Sequence, residues 1–150
     1  MRLTLSALAL TLTAALGACS GGSDKEGEAA PAVAPTPVVI GGIDLLEPVR
    51  VLGTEPFWAV DIAEDRVILT RPGVGDVTAP TSSPVVTGTM AVYSGTTDTG
   101  QTLVLTLIAT ECSDGMSDRV YPLTARVELG EETLNGCGNT LQALTRAPAP

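Results

Sequence analysis

The chain has 150 residues, a formal net charge of −9 and no histidine, which leaves room for one modest folded domain. Lys25 is the single lysine and the other cations are scattered arginines, so no basic stripe exists to displace counterions from phosphates, and nucleic acid is excluded as a partner. The absence of histidine removes Ser-His and Cys-His catalysis and the commonest metal ligand.

Met1 and Arg2 make a minimal positive start, and residues 3–15 (LTLSALALTLTAA) form an apolar run. The run is short for a spanning helix, which needs about 20 residues, and it suits a cleaved signal. Leu16-Gly17-Ala18-Cys19 follows and resembles the bacterial lipobox. That resemblance implies a signal peptide over residues 1–18 and acyl chains on Cys19, each buried methylene adding about 0.8 kcal/mol of membrane affinity. By analogy with lipoprotein sorting, Ser20 after the cysteine implies a periplasm-facing, lipid-anchored place on the outer membrane rather than the inner one. Residues 19–42 are rich in Gly, Ser, Ala and Pro, and read as a flexible tether that reaches about 60 Å at about 3.1 Å per residue.

The folded part is expected over residues 43–145, with 146–150 as a frayed tail. Residues 44–52, broken by Pro48, read as a short edge strand. Gly53-Thr54-Glu55-Pro56-Phe57-Trp58 reads as a rigid corner, since Pro56 fixes its backbone angle. It leads into a strand over 57–62 that places Trp58, Val60 and Ile62 on one face. A turn at 63–65 and a return strand over 66–71 complete a hairpin. Residues 72–76 and 79–84 read as loops. Residues 85–94 read as one strand, with Val86, Met90 and Val92 opposite Thr87, Thr89 and Tyr93. The segment 95–100 is a hairpin loop, and 101–110 (QTLVLTLIAT) is expected to be the longest strand.

Residues 111–138 hold both remaining cysteines, a polar loop and a strand of period two. Tyr121, Leu123, Ala125, Val127 and Leu129 fall on one face of that strand. No segment after the signal shows a helical period. About seven short strands joined by tight turns predict an all-β domain, a small antiparallel barrel or sandwich. With Cys19 lipidated, Cys112 and Cys137 are the only pair left, and in an oxidising periplasm they are expected to form a disulfide.

GTEPFW at 53–58, and CSDGMSD at 112–118 with Tyr121-Pro122 and Leu134-Asn135-Gly136-Cys137, resemble an uncharacterised family of bacterial envelope lipoproteins. The similarity spans about residues 53–138 and implies location and fold rather than chemistry. The domain is more distantly similar to the META/HslJ type and to the membrane-bound inhibitors of c-type lysozyme. Those inhibitors present a serine and a lysine to the enzyme. Here Ser113 and Ser117 supply hydroxyls, and Arg119 stands where no lysine is available.

Ser117 lacks the last glycine of a nucleophile elbow, and there is no Ser-x-x-Lys and no phosphate-binding glycine motif. Asp114 and Asp118 are the best acid pair for a cation or for acid–base work, although Asp114-Gly115 is also a turn signal. Trp58 reads either as a platform for a glycan or as a core residue. The candidate binding loop is therefore Ser113, Asp114, Ser117, Asp118 and Arg119, with Trp58 as candidate platform. No catalytic set, no metal site and no cofactor are expected. The expected function is a non-catalytic binding or structural module of the cell envelope. The alternative is an inhibitor of a cell-wall hydrolase. Its partners would be the membrane through the lipid, and a hydrolase, another envelope protein or peptidoglycan.

Overall fold

The computed structural model describes residues 36–146. The expected signal peptide, Cys19, the tether up to residue 35 and the tail from residue 147 lie outside the described residues. No helix among the described residues is long and apolar enough to cross a membrane.

The fold is all-β. A first ribbon pairs β1 (Val39–Ile40) with β2 (Ile43–Asp44). The main sheet contains β3 (Val49–Thr54), β4 (Phe57–Ala63), β5 (Arg66–Arg71), β6 (Val74–Pro80), β7 (Val85–Thr87), β8 (Met90–Thr96), β9 (Thr102–Ile108), β12 (Leu123–Leu129) and β13 (Glu132–Thr140). A second ribbon, β10 (Cys112–Ser113) with β11 (Val120–Tyr121), stands apart from it. The nine strands run antiparallel in the order β6-β5-β4-β3-β13-β12-β9-β8-β7. The sheet curls into a half-barrel. Its two sides approach where Gly95 of β8 packs on Ala79 and Pro80 of β6, too closely for any side chain at position 95.

Alternation of side chains produces the core. Val49 and Val51, Trp58, Val60 and Ile62, Val67 and Leu69, Leu103, Leu105 and Leu107, and Leu123 through Leu129 at every second residue all point inward and are buried. Most of these are branched aliphatics, whose burial supplies the main stabilising term at about 25 cal/mol per Å². On the opposite face the cross-strand neighbours Arg50 and Asp61 form a two-pronged ion pair at 2.6 and 2.7 Å. That pairing raises the Arg50 pKa above its ordinary value.

Several expectations change. The sheet has nine strands, not about seven, because two tight turns were hidden in apparent loops and strands. Pro72-Gly73 is a two-residue turn, with Gly73 at φ +72, so residues 74–80 form a paired strand rather than a loop. Gly88, at φ +59, likewise splits 85–94 into β7 and β8. Segment 44–52 is no edge strand: β3 begins after Pro48 and lies between β13 and β4. The order starts before residue 43, since Ile40 is only 2% exposed within the core. The longest strand is β13, with nine residues, not the 101–110 segment. A short helix, α1 (Leu141–Arg146), follows it and was invisible to periodicity because none of its residues is buried. Thr140 caps it through a hydrogen bond from Ala143 N.

Candidate binding cleft

The ribbon of β10 and β11 is brought to the sheet by sulfur and by one aromatic ring. Cys137 stands on the opposite face of β13 from Leu134, and it is paired with Leu52 of β3. Cys112 reaches it there, with an S–S distance of 1.98 Å and Cα atoms 5.5 Å apart. Tyr121 is 3% exposed yet lies outside the core cluster. It was expected to continue the inward face of Leu123. Pro122, which cannot donate to a ladder, separates β11 from β12 and sends the ring to the ribbon instead.

The loop between β10 and β11 is built around Asp114. Oδ1 accepts from Met116 N at 3.0 Å and from Ser117 N at 2.9 Å. Oδ2 accepts from the Ser117 hydroxyl at 2.9 Å and from the Tyr121 hydroxyl at 3.0 Å. The two backbone donors, aided by the hydroxyls against a small burial cost, bring its pKa down to about 2. Burial and this carboxylate raise the Tyr121 pKa. The Asp114 carbonyl accepts from Thr54 Oγ1 at 3.4 Å, which joins this loop to the corner at 54–57.

Asp114 is a fixed acceptor, while Asp118 is exposed on the same loop. Ser113 Oγ accepts from Gly115 N, and Ser117 Oγ accepts from Arg119 N while donating to Asp114. The Ser117 hydroxyl is thus committed both ways inside the loop, whereas Ser113 is exposed and only accepts there. Arg119 sits over the Tyr121 ring, 6.0 Å from its centroid. No group of three or more Cys, Asp or Glu side chains that could hold a metal occurs among the described residues. Trp58 is corrected as a stacking platform: it is 4% exposed, because its indole lies against Gly53 and Gly136, where any Cβ would overlap it.

The two motifs do converge, and what they make is a cleft. On the face of the sheet away from the core, Leu52, Thr54, Phe57, Ala59 and Thr70 come together with Tyr121 and Asp114 around about 440 Å³. It continues into a space of about 840 Å³ bounded by Glu55, Pro56, Val74 and Met116; Thr54, Phe57, Arg71 and Pro72 line both. Three turns rim this opening, and each carries an exposed apolar side chain. Phe57 is 58% exposed, Val74 57% and Met116 66%. Arg71 is held by Glu132, whose oxygens lie 3.0 and 2.8 Å from Nη1.

Phe57, Val74 and Met116 were missed as candidates. Phe57 was detectable, since a strand that buries Trp58 must turn its neighbour outward. Val74 and Met116 carried no such signal. No family model, curated protein or solved structure matches the chain.

Proposed function

We propose that the chain is a lipid-anchored binding module of the bacterial cell envelope, non-catalytic, acting through this cleft. The observation that carries the reading is the convergence of Phe57, Val74 and Met116 on one open apolar cleft. Large apolar side chains gathered at an opening are the usual mark of a binding site, whereas single exposed ones are not. The loop forming one wall is pre-ordered by Asp114, which lowers the entropic cost of binding. A carboxylate with that many donors serves as a structural anchor and not as a proton donor at neutral pH. The lipobox-like Leu16 to Cys19 and the Pro-rich tether support the membrane anchor and the outer-membrane, periplasm-facing placement.

The hydrolase-inhibitor reading takes a narrower form. Ser117 is committed within the loop, so such an inhibitor would act through Ser113, Arg119 or Met116.

The test uses the full chain in nanodiscs, incubated with envelope extract at physiological salt. Phe57→Ala should abolish specific retention, because Phe57 is mostly exposed and its removal spares the core. Equal retention by both proteins refutes the cleft. The anchor is tested by labelling growing cells with a radioactive fatty acid. Label should enter the wild type and not Cys19→Ser; label in both would refute acylation at Cys19.

A further inference from the structure

We infer that the cleft takes an apolar side chain carried on a basic, extended peptide segment of another protein. This rests on the binding reading above and adds the class of ligand.

The carbon lining sets the first requirement. Phe57, Pro72, Val74 and Met116 around the mouth, with Leu52 and Ala59 deeper, offer few polar groups to satisfy a sugar or a nucleotide. A volume of about 440 Å³ for the inner part lies within the ordinary range for ligand clefts, about 300–1,000 Å³. The ligand must therefore bring an apolar group.

Charge sets the second. Glu55 and Asp114 line the cleft, and Glu132 grips Arg71 beside them. Three carboxylates against one guanidinium leave the cleft two charges negative. Asp118 and Arg119, neighbours on the loop, offset one another. Glu55 is exposed at the mouth and makes no ion pair among the described residues. The surroundings act in the same sense. Of the 17 acidic residues, all but Asp24, Glu26 and Glu28 lie within 36–146. Of the 8 basic ones, the described domain holds all except Arg2 and Lys25. Such a field attracts cations and raises their rate of encounter, most strongly at low salt. It repels a fatty acid or an anionic lipid headgroup, which would otherwise suit an apolar cleft.

Hydrogen bonding sets the third. Arg71 commits Nη1 to Glu132, which leaves Nη2 for a carbonyl oxygen. A carboxylate for a cation, a donor for a carbonyl and an apolar hole between them match a peptide with alternating basic and apolar side chains. In an extended strand the apolar side chains enter the cleft together, and the long, flexible basic side chains between them bend back to the carboxylate at its mouth.

The Trp58 ring is buried on the core side of the sheet, so binding in the cleft is read by calorimetry. The full chain in zwitterionic nanodiscs is titrated with three probes: acetyl-Lys-Phe-Lys-Leu-Lys-amide, acetyl-Glu-Phe-Glu-Leu-Glu-amide and decanoate. The lysine peptide should bind saturably and at least about tenfold more tightly than either acidic probe. Its affinity should fall by up to about fivefold in Glu55→Gln, the upper end for a solvent-exposed ion pair, and again as salt rises from about 0.05 to about 0.5 M. Phe57→Ala should weaken it further. Equal or tighter binding of the glutamate peptide or decanoate, lost in Phe57→Ala, overturns the ligand class and leaves the cleft as the binding site. Failure of all three probes to bind by calorimetry overturns the inference. If retention from envelope extract still depends on Phe57, the binding reading survives that failure.

Discussion

Removing the Cys112–Cys137 bond should destabilise the domain strongly without dissolving its sheet. The two cysteines are 25 residues apart. The chain-entropy relation for a closed loop of that length gives about 3.5 kcal/mol at 25 °C, carried mainly by the unfolded state. In the native state neither sulfur belongs to the core cluster, and the nine-strand ladder runs uninterrupted through Cys137. Cys112→Ala with Cys137→Ala should therefore fold to the same sheet with an intact circular dichroism spectrum. With slopes of about 1–3 kcal/mol per M urea, the midpoint followed by Trp58 emission should fall by about 1.2–3.5 M. Wild-type protein reduced with dithiothreitol should match the variant. A fall below about 0.5 M at unchanged slope would refute the loop-entropy account. Loss of the sheet itself would refute the claim that the ribbon is appended to a self-sufficient half-barrel.

Gly136→Ala should cost about 1–3 kcal/mol by calorimetry, since a Cβ there meets the Leu52 carbonyl and the Trp58 ring; unchanged stability would show that β3 yields easily. Tyr93→Phe removes a buried hydroxyl with no hydrogen-bond partner, whose burial pushes the pKa up to about 12. Stability should stay level or rise by up to about 1 kcal/mol, and a clear loss would reveal a partner. Asp114 has its folded pKa lowered from 3.8 to about 2, so its contribution is present above about pH 4 and is lost as pH falls toward 2. Asp114→Asn should lower stability at pH 7 and flatten that part of the acid profile. The group lies near solvent, which keeps the effect small, and parallel urea-midpoint profiles between pH 7 and pH 2.5 would refute it.

The strand faces were legible because burial imposes period two. Trp58, Val60 and Ile62, Leu103 to Leu107, and Leu123 to Leu129 could be assigned inward from alternation alone, and they are buried. The cysteine pairing was legible from the count, and the pair lies at bonding distance. What failed was punctuation. Pro72-Gly73 and Gly88-Thr89 each turn the chain in two residues, and a turn that short between polar or β-branched neighbours looks like the middle of a loop or of a strand. Val38 to Ile40 was lost inside a Pro- and Gly-rich stretch, although three apolar residues in a row gave a hint. Tyr121 obeyed the alternation on paper. Pro122 broke the ladder, and the ring left the core for the outer cluster.

The cleft was illegible for a different reason. Its rim comes from turns centred near residues 56, 73 and 116, which no local pattern links. They meet because β5 follows β4 at the sheet's end and because the sulfur bond holds a distant loop against β3. The same loop carries Asp114, and its backbone carbonyl is tied to Thr54. Residues that looked like chemistry, Asp114 and Ser117, thus turn out to shape a wall. Residues that looked like ordinary strand or loop, Phe57, Val74 and Met116, form the opening. Polar side chains satisfied by their own loop have little left to offer a ligand, whereas apolar side chains held in water gain by covering themselves. That asymmetry is why the binding reading follows the exposed carbon here and not the acidic motif.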